Sequence, residues 1–203
     1  MLTESIGRGA KYIVDAIVGA LALSRIHPNI LTAIGLAINI GAACAFGYGR
    51  FWLGGWIMVG AAVFDLVDGM VARKTGKVTP FGGFFDSVID RYSDLALYFG
   101  LLVYYARLNR FFYVVLVALA MTGSVMVSYT RARAESLIGS CKVGFMERAE
   151  RIVLIIIGGL FNRMAAVLWV IAVLANITVI HRIIYTWQTA RKAAAGTPAQ
   201  AAD

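Results

Sequence analysis

The 203-residue sequence predicts an all-α membrane protein with six transmembrane helices. Hydrophobic residues make up 60% of the chain, and its mean hydropathy is +0.77, well above the usual soluble range. Apolar runs recur at lengths near the roughly 20 residues that a helix needs to cross a bilayer. Six such helices use about 120 residues, so we expect one membrane domain over residues 1–192 with little room for a soluble module.

The predicted elements follow one another with short connections. In residues 3–24, polar side chains interrupt the apolar positions at helical spacing, which predicts an amphipathic juxtamembrane helix in the interface. We expect the charged stretch 131–151 to continue as helix on both sides of Gly139-Ser140, and the alanine-rich residues 193–203 to form a disordered tail. The six predicted spans cover residues 29–48, 51–72, 82–106, 111–130, 152–161 with an N-terminal extension, and 164–187.

The distribution of Lys and Arg predicts the orientation in the membrane. With both termini in the cytoplasm, 15 of the 19 basic residues fall on the inner side, and the outer side holds Arg50, Arg107, Arg110 and Arg163. We therefore expect a multi-pass membrane protein whose site and termini face the cytoplasm, and the small size of the chain suits a prokaryotic plasma membrane. The net charge of +8 does not indicate a nucleic-acid partner, because the basic residues lie at the ends of apolar segments.

Four aspartates in the second and third predicted helices form a candidate site. Asp65 and Asp68 are three residues apart and Asp86 and Asp90 are four apart, so each pair shares one helix face. The two helices are joined by a short loop, so we expect the acidic faces to converge near the membrane surface. Four carboxylates repel one another and are costly near hydrocarbon, and a hard divalent cation such as Mg²⁺, Mn²⁺ or Ca²⁺ removes both problems.

The surroundings of these aspartates favour a phosphorylated ligand, with two alternatives. Gly69 and Gly82 place backbone without side chains beside the acids, and Arg73 can neutralise a phosphate. The first alternative is that the acids form interfacial salt bridges with Arg73, Lys74 and Arg91. The second is a cation or proton pathway, although no acidic residue continues toward the outer side.

The segment 65–90 resembles the signature DxxDGxxARx8GxxxDxxxD of the CDP-alcohol phosphotransferases at all its fixed positions. The resemblance implies that Asp65, Asp68 and Asp86 bind metal, two Mg²⁺ ions per site with Mn²⁺ also possible, and that Asp90 completes the metal site and acts as general base. It also implies a homodimer. The residues implied in binding CDP are Asp68, Gly69, Ala72, Arg73 and Gly82, together with Asn29 and Thr32 of a PNxxT segment for which helix capping is an alternative role.

Two further segments resemble the bacterial phosphatidylinositol phosphate synthases of this family. They are the DRxxD pattern from Asp90 to Asp94 and the stretches SYTRARAE and GFMERAER at 128–135 and 144–151. The family more often has Lys at the position of Arg131. The resemblance implies that Arg131, Arg151 and Arg182 bind the phosphate of the acceptor.

The activity that this resemblance implies is transfer of a phosphatidyl group from CDP-diacylglycerol to inositol phosphate, giving phosphatidylinositol phosphate and CMP. The alternative within the class is a phosphatidylglycerophosphate synthase that uses glycerol phosphate. Outside the class, the alternative is a cation-binding transporter. For the arginines, the alternative is a set of inside-positive anchors paired with Glu135, Glu147 or Glu150.

Overall fold

The computed structural model describes residues 28–74 and 79–196, and within them the side chains of residues 29–65 and 79–192. The described residues form helices and no strand, which confirms the all-α part of the predicted fold class. The juxtamembrane helix predicted at 3–24 lies outside the described residues, as do residues 197–203. The described helices are α1 Pro28–Gly47, α2 Phe51–Lys74, α3 Pro80–Arg107, α4 Phe111–Ile138, α5 Arg148–Leu160 and α6 Met164–Gly196.

Three of the described helices are long and apolar enough to cross a membrane. These segments are Asn29–Gly47, Phe111–Ile138 and Met164–Lys192. In α2, the side chains are described as far as Asp65, and the segment Phe51–Asp65 is apolar. At 13 residues, α5 spans only about 20 Å at 1.5 Å per residue, less than the roughly 30 Å of a hydrocarbon core. Length and composition therefore support three spans among the described helices, fewer than the six predicted.

The helices α1, α3 and α5 end in the same kind of turn. The turns contain Gly49, Asn109 and Asn162 in the left-handed region, with φ values of 75°, 52° and 52°. In each turn the amide of the following arginine donates to the carbonyl five residues earlier, at 2.9, 3.0 and 2.8 Å for Arg50, Arg110 and Arg163. Glycine and asparagine tolerate this conformation, so each following helix begins within two residues.

The helix predicted through residue 151 is wrong for residues 141–147. Helix α4 stops at Ile138, Gly139 follows with φ 77°, and the chain is non-helical until α5 begins at Arg148. Gly144, with φ 132°, also lies outside the conformations that a helix needs. At the other end, α6 runs to Gly196, so residues 193–196, predicted to belong to the tail, are helical.

The chain divides within α3, after Gly100, into two compact units. In the first unit, α1 packs against α2, and Gly100 of α3 approaches the backbone of Ala43 so closely that no Cβ would fit there. In the second unit, α4 and α5 both pack against α6. Gly123 of α4 faces Ala175 and Asn176 of α6, an arrangement of small residues that lets membrane helices pack tightly.

Candidate active site

The first unit brings three of the four predicted aspartates together. Asp65 lies on α2, and Asp86 and Asp90 lie one turn apart on α3. One carboxylate oxygen from each residue lies within 4.8 Å of the other two. Asp65 is exposed, whereas Asp86 and Asp90 are half-buried. The side chain of Asp68 lies outside the described residues. The predicted convergence of the two acidic faces is thus observed for these three side chains.

The start of α3 is fixed next to this group by a capping residue. The Thr79 hydroxyl accepts a hydrogen bond from the amide of Gly82 at 2.9 Å, and Pro80 is the first helical residue. A Cβ built on Gly82 would lie 3.6 Å from the side-chain oxygen of Asn29, so the structure brings together two residues predicted to bind CDP. Thr79 was not among the predicted residues, although a Thr-Pro pair before an apolar run is a helix-start signal.

The three carboxylates fit a hard divalent cation. Their oxygens are the ligands that Mg²⁺ and Mn²⁺ prefer, and their spacing allows all three to approach one ion. The salt-bridge alternative named Arg73, Lys74 and Arg91, of which Arg91 has a described side chain. Its Nη1 lies 3.9 Å from Oδ2 of Asp90 and also donates to the Ser87 carbonyl. At that separation the pair is long for a charge-assisted hydrogen bond. The oxygen spacing of the three carboxylates supports a metal ion at this site.

The second unit brings the three arginines of the predicted phosphate pocket together. Arg131, Arg151 and Arg182 come from α4, α5 and α6. Arg131 and Arg151 both lie near enough to Arg182 to interact with it as like charges. Arg151 and Arg182 are each only 1% exposed, whereas 38% of the Arg131 side chain is accessible. We call these three residues the basic cluster.

Carboxylates and backbone carbonyls hold the basic cluster in place. Arg182 donates from Nε to the Val143 carbonyl at 2.8 Å and from Nη1 to the Val127 carbonyl at 2.5 Å. Arg131 donates from Nε to Glu135 at 3.1 Å and from Nη1 to Glu147 at 3.0 Å. The predicted alternative of arginine–glutamate pairing is therefore observed for Arg131, and a phosphate would bind there in competition with it.

A buried threonine fixes the loop beside the basic cluster. The Thr178 hydroxyl on α6 accepts hydrogen bonds from the amides of Phe145 and Met146, each at 3.2 Å, and donates to the Leu174 carbonyl at 2.8 Å. The Phe145 ring stacks on His181, with ring centroids 5.6 Å apart. Sequence reasoning missed Thr178. The available signal was its position one helical turn before Arg182, on the same face of α6.

The chain is similar over most of its length to one enzyme family. The sequence model for CDP-alcohol phosphatidyltransferases matches residues 25–191. An archaetidylinositol phosphate synthase from Pyrococcus horikoshii is 42% identical over 164 residues, which are 80% of this chain and 85% of that protein. Another from Methanothermobacter thermautotrophicus is 36% identical, over 86% of this chain and 89% of that protein.

The fold is similar to that of a solved bacterial enzyme. The crystal structure of Mycobacterium tuberculosis phosphatidylinositol phosphate synthase with CDP-DAG bound matches with a TM-score of 0.82 and 28% identity, covering 88% of this chain and 95% of that one. The same enzyme has been crystallised with manganese and citrate, and that structure matches with a TM-score of 0.78 and 28% identity over 87% and 90% of the two chains. A metal ion therefore accompanies this fold in at least one relative.

Proposed function

The chain belongs to the CDP-alcohol phosphatidyltransferase family and is an enzyme of that type, and we propose that its acceptor alcohol is an inositol phosphate. The observation that supports this acceptor is that Arg131 and Arg182 lie 3.0 and 3.6 Å from the same oxygen of Glu147, with Arg151 buried in the same unit. Several guanidiniums at one place suit a dianionic phosphate, because each can donate more than one charge-assisted hydrogen bond. An acceptor without a phosphate cannot make such charge-assisted hydrogen bonds with these donors.

In the proposed reaction the acceptor hydroxyl attacks the phosphorus on the lipid side of the CDP-lipid. A new oxygen–phosphorus bond forms, the bond between that phosphorus and the CMP oxygen breaks, and CMP leaves. Asp90 accepts the proton of the attacking hydroxyl as general base. The basic cluster holds the acceptor by its phosphate. The protein contributes positioning and electrostatics, and no covalent intermediate with a side chain is required.

We propose that Asp65, Asp68, Asp86 and Asp90 hold divalent cations, Mg²⁺ or Mn²⁺, with two ions per site. Three of these side chains have the oxygen spacing that such ions need. When bound, the cations neutralise charge on the pyrophosphate and polarise it toward attack. For the CDP part, the proposed contacts from described side chains are Asn29, Thr32 and Gly82. We also propose that CDP contacts Asp68, Gly69, Ala72 and Arg73, whose side chains lie outside the described part of the chain.

The proposed setting is a prokaryotic plasma membrane crossed six times by a single domain of residues 1–192. Both termini and the active site face the cytoplasm, and the enzyme is a homodimer. The positive-inside bias of the sequence supports this orientation. The three helices that meet the length and hydropathy of a span support a polytopic protein. In this proposal the other three crossings are the acid-bearing helices α2 and α3 and the 13-residue α5 together with the segment that precedes it.

The test is CMP release by the purified protein in detergent with Mg²⁺ and CDP-diacylglycerol. Inositol phosphate, glycerol phosphate, free inositol and serine are offered separately, and a CDP-activated ether lipid replaces the diacyl donor in a parallel series. We expect CMP with inositol phosphate and none with free inositol. Asp90→Asn should abolish release, whereas Glu150→Gln, which removes a carboxylate of the second unit, should not.

Each other outcome selects a different function. Release with glycerol phosphate alone keeps the enzyme class and rejects the proposed acceptor. A folded protein that releases no CMP with any acceptor, yet moves cations across sealed vesicles, would be a transporter. Faster release with the ether donor than with CDP-diacylglycerol would match the archaetidyl-named relatives and leave the acceptor assignment unchanged.

A further inference from the structure

One carboxylate oxygen lies between two arginines of the basic cluster. Oε1 of Glu147 accepts a hydrogen bond from Nη1 of Arg131 at 3.0 Å and lies 3.6 Å from Nη2 of Arg182. The longer distance is within ion-pair range but beyond an N–H···O hydrogen bond. Nη2 of Arg182 is buried and makes no hydrogen bond among the described residues. Glu147 therefore neutralises part of the charge of the basic cluster but accepts no hydrogen bond from the buried Nη2 of Arg182.

Glu147 is the most exposed member of this group. Half of its side chain is accessible, 49%, against 1% for Arg182. Glu147 and Glu150 form a capping box where α5 begins: the Glu147 amide donates to Oε2 of Glu150 at 2.9 Å, and the Glu147 side chain accepts from the Glu150 amide. A side-chain rotation takes the carboxylate from the arginines and from the Glu150 amide into water, where it regains its hydration, and the Glu150 carboxylate still caps the start of the helix.

The charges favour exchange over addition. Arg131 and Arg182 carry two positive charges, and Glu135 and Glu147 carry two negative ones, so these four side chains together are neutral. A phosphate monoester carries about −1.5 to −2. Its arrival beside Glu147 adds all of that charge, whereas its exchange for Glu147 removes one negative charge at the same time. Its three oxygens can also accept hydrogen bonds from Arg131 and Arg182 at the same time, whereas Oε1 of Glu147 accepts one from Arg131 and not from Arg182.

We propose that Glu147 is an internal anion that the phosphate of the acceptor displaces from Arg131 and Arg182. This inference rests on the proposed function. It makes Glu147 a specificity-determining residue, because an acceptor without a phosphate cannot replace the carboxylate. Arg131 and Arg182 remain beside Glu147 until a dianion arrives, and the cost of displacing Glu147 is part of the apparent affinity for every phosphorylated acceptor.

The experiment replaces Glu147 with the isosteric neutral residue in Glu147→Gln. We expect the KM for inositol phosphate to fall about two- to fivefold, the range that a partly exposed ion pair contributes. The rise in melting temperature caused by inorganic phosphate should be larger in the variant than in the wild type. Glu150→Gln is the matched control, since it removes the same charge at the same helix end without removing the Glu147 carboxylate.

An unchanged or higher KM in folded Glu147→Gln overturns the inference, as does an equal fall in Glu150→Gln. Glu147→Asp provides a second variant that keeps the charge but reaches one methylene less far. Its KM should lie between those of the wild type and Glu147→Gln, and a KM above wild type would count against displacement.

The proposed function fails in a different way. If the wild-type enzyme does not saturate with inositol phosphate, or if Arg131→Met leaves the KM for inositol phosphate unchanged, then the acceptor assignment itself is wrong. If both of those results hold as proposed and Glu147→Gln does not lower the KM, then only the displacement by phosphate is wrong.

Discussion

Thr178→Val tests how far the loop beside the basic cluster depends on one buried hydroxyl. Valine has nearly the shape of threonine, so the substitution removes hydrogen bonds with little change in volume. The hydroxyl accepts from the amides of Phe145 and Met146, and without it both amides lose their acceptor. The bond to Met146 is buried and that to Phe145 is partly buried.

The magnitude follows from these two amides. A buried donor left without a partner costs about 1–3 kcal/mol, so one buried and one partly buried amide together cost about 2–4 kcal/mol. Thr178→Ser is the matched control, because it keeps the hydroxyl and removes one methyl group. That loss costs about 1 kcal/mol. We therefore expect the stability to fall in the order wild type, Thr178→Ser, Thr178→Val.

The assay is reversible unfolding of the purified variants in one detergent, with the phosphate-induced shift in melting temperature as a second measurement. We expect Thr178→Val to weaken the response to phosphate as well, because the loop carries Val143, whose carbonyl holds Arg182. A valine variant as stable as the serine variant would refute the argument, since it would mean that the two amides find other partners.

Three further predictions concern the acidic group, the basic cluster and the helix packing. Asp86→Asn should lower CMP release about 100-fold or more, because it removes one of three converging carboxylates. EDTA should abolish CMP release by the wild type until Mg²⁺ or Mn²⁺ is restored. A wild-type rate in the variant would contradict the metal site. Arg182→Lys should raise the KM for inositol phosphate about tenfold and change the KM for the CDP-lipid by no more than about twofold. The reason is that lysine cannot donate to two carbonyls and an anion in the same geometry. Equal rises in both KM values would indicate general damage to the protein. Gly100→Ala should destabilise the protein by about 1–3 kcal/mol, because its Cβ would meet the backbone of Ala43. Gly60→Ala, in open space on α2, should be neutral or stabilising by up to about 1 kcal/mol in the same unfolding assay.

The acidic group could be predicted because its geometry is local. Asp86 and Asp90 share a face through the helical period alone, and a short connection returns α3 beside α2 and Asp65. No distant residue has to be known for these three side chains to meet. The same locality placed gaps between predicted spans at 49–50, 107–110 and 162–163, where the structure has the turns with Gly49, Asn109 and Asn162.

The region from 139 to 147 could not be predicted in the same way. The charged residues of this region fit a helix, and a helix was predicted on both sides of Gly139-Ser140. The conformation is instead set by Gly139 and Gly144 at positive φ and by Thr178, more than 30 residues further along the chain. Hydrogen bonds over such a separation override local helix propensity.

The sequence by itself determined the helical class, the positive-inside bias and the group of aspartates, because each depends on composition or on spacing within neighbouring helices. It also indicated Arg131, Arg151 and Arg182 through their resemblance to a family. Only the tertiary structure decided that these arginines meet and that Glu147 bridges two of them. The physical reason is that α4, α5 and α6 each supply one arginine, and only the packing of α4 and α5 on α6 places them in range.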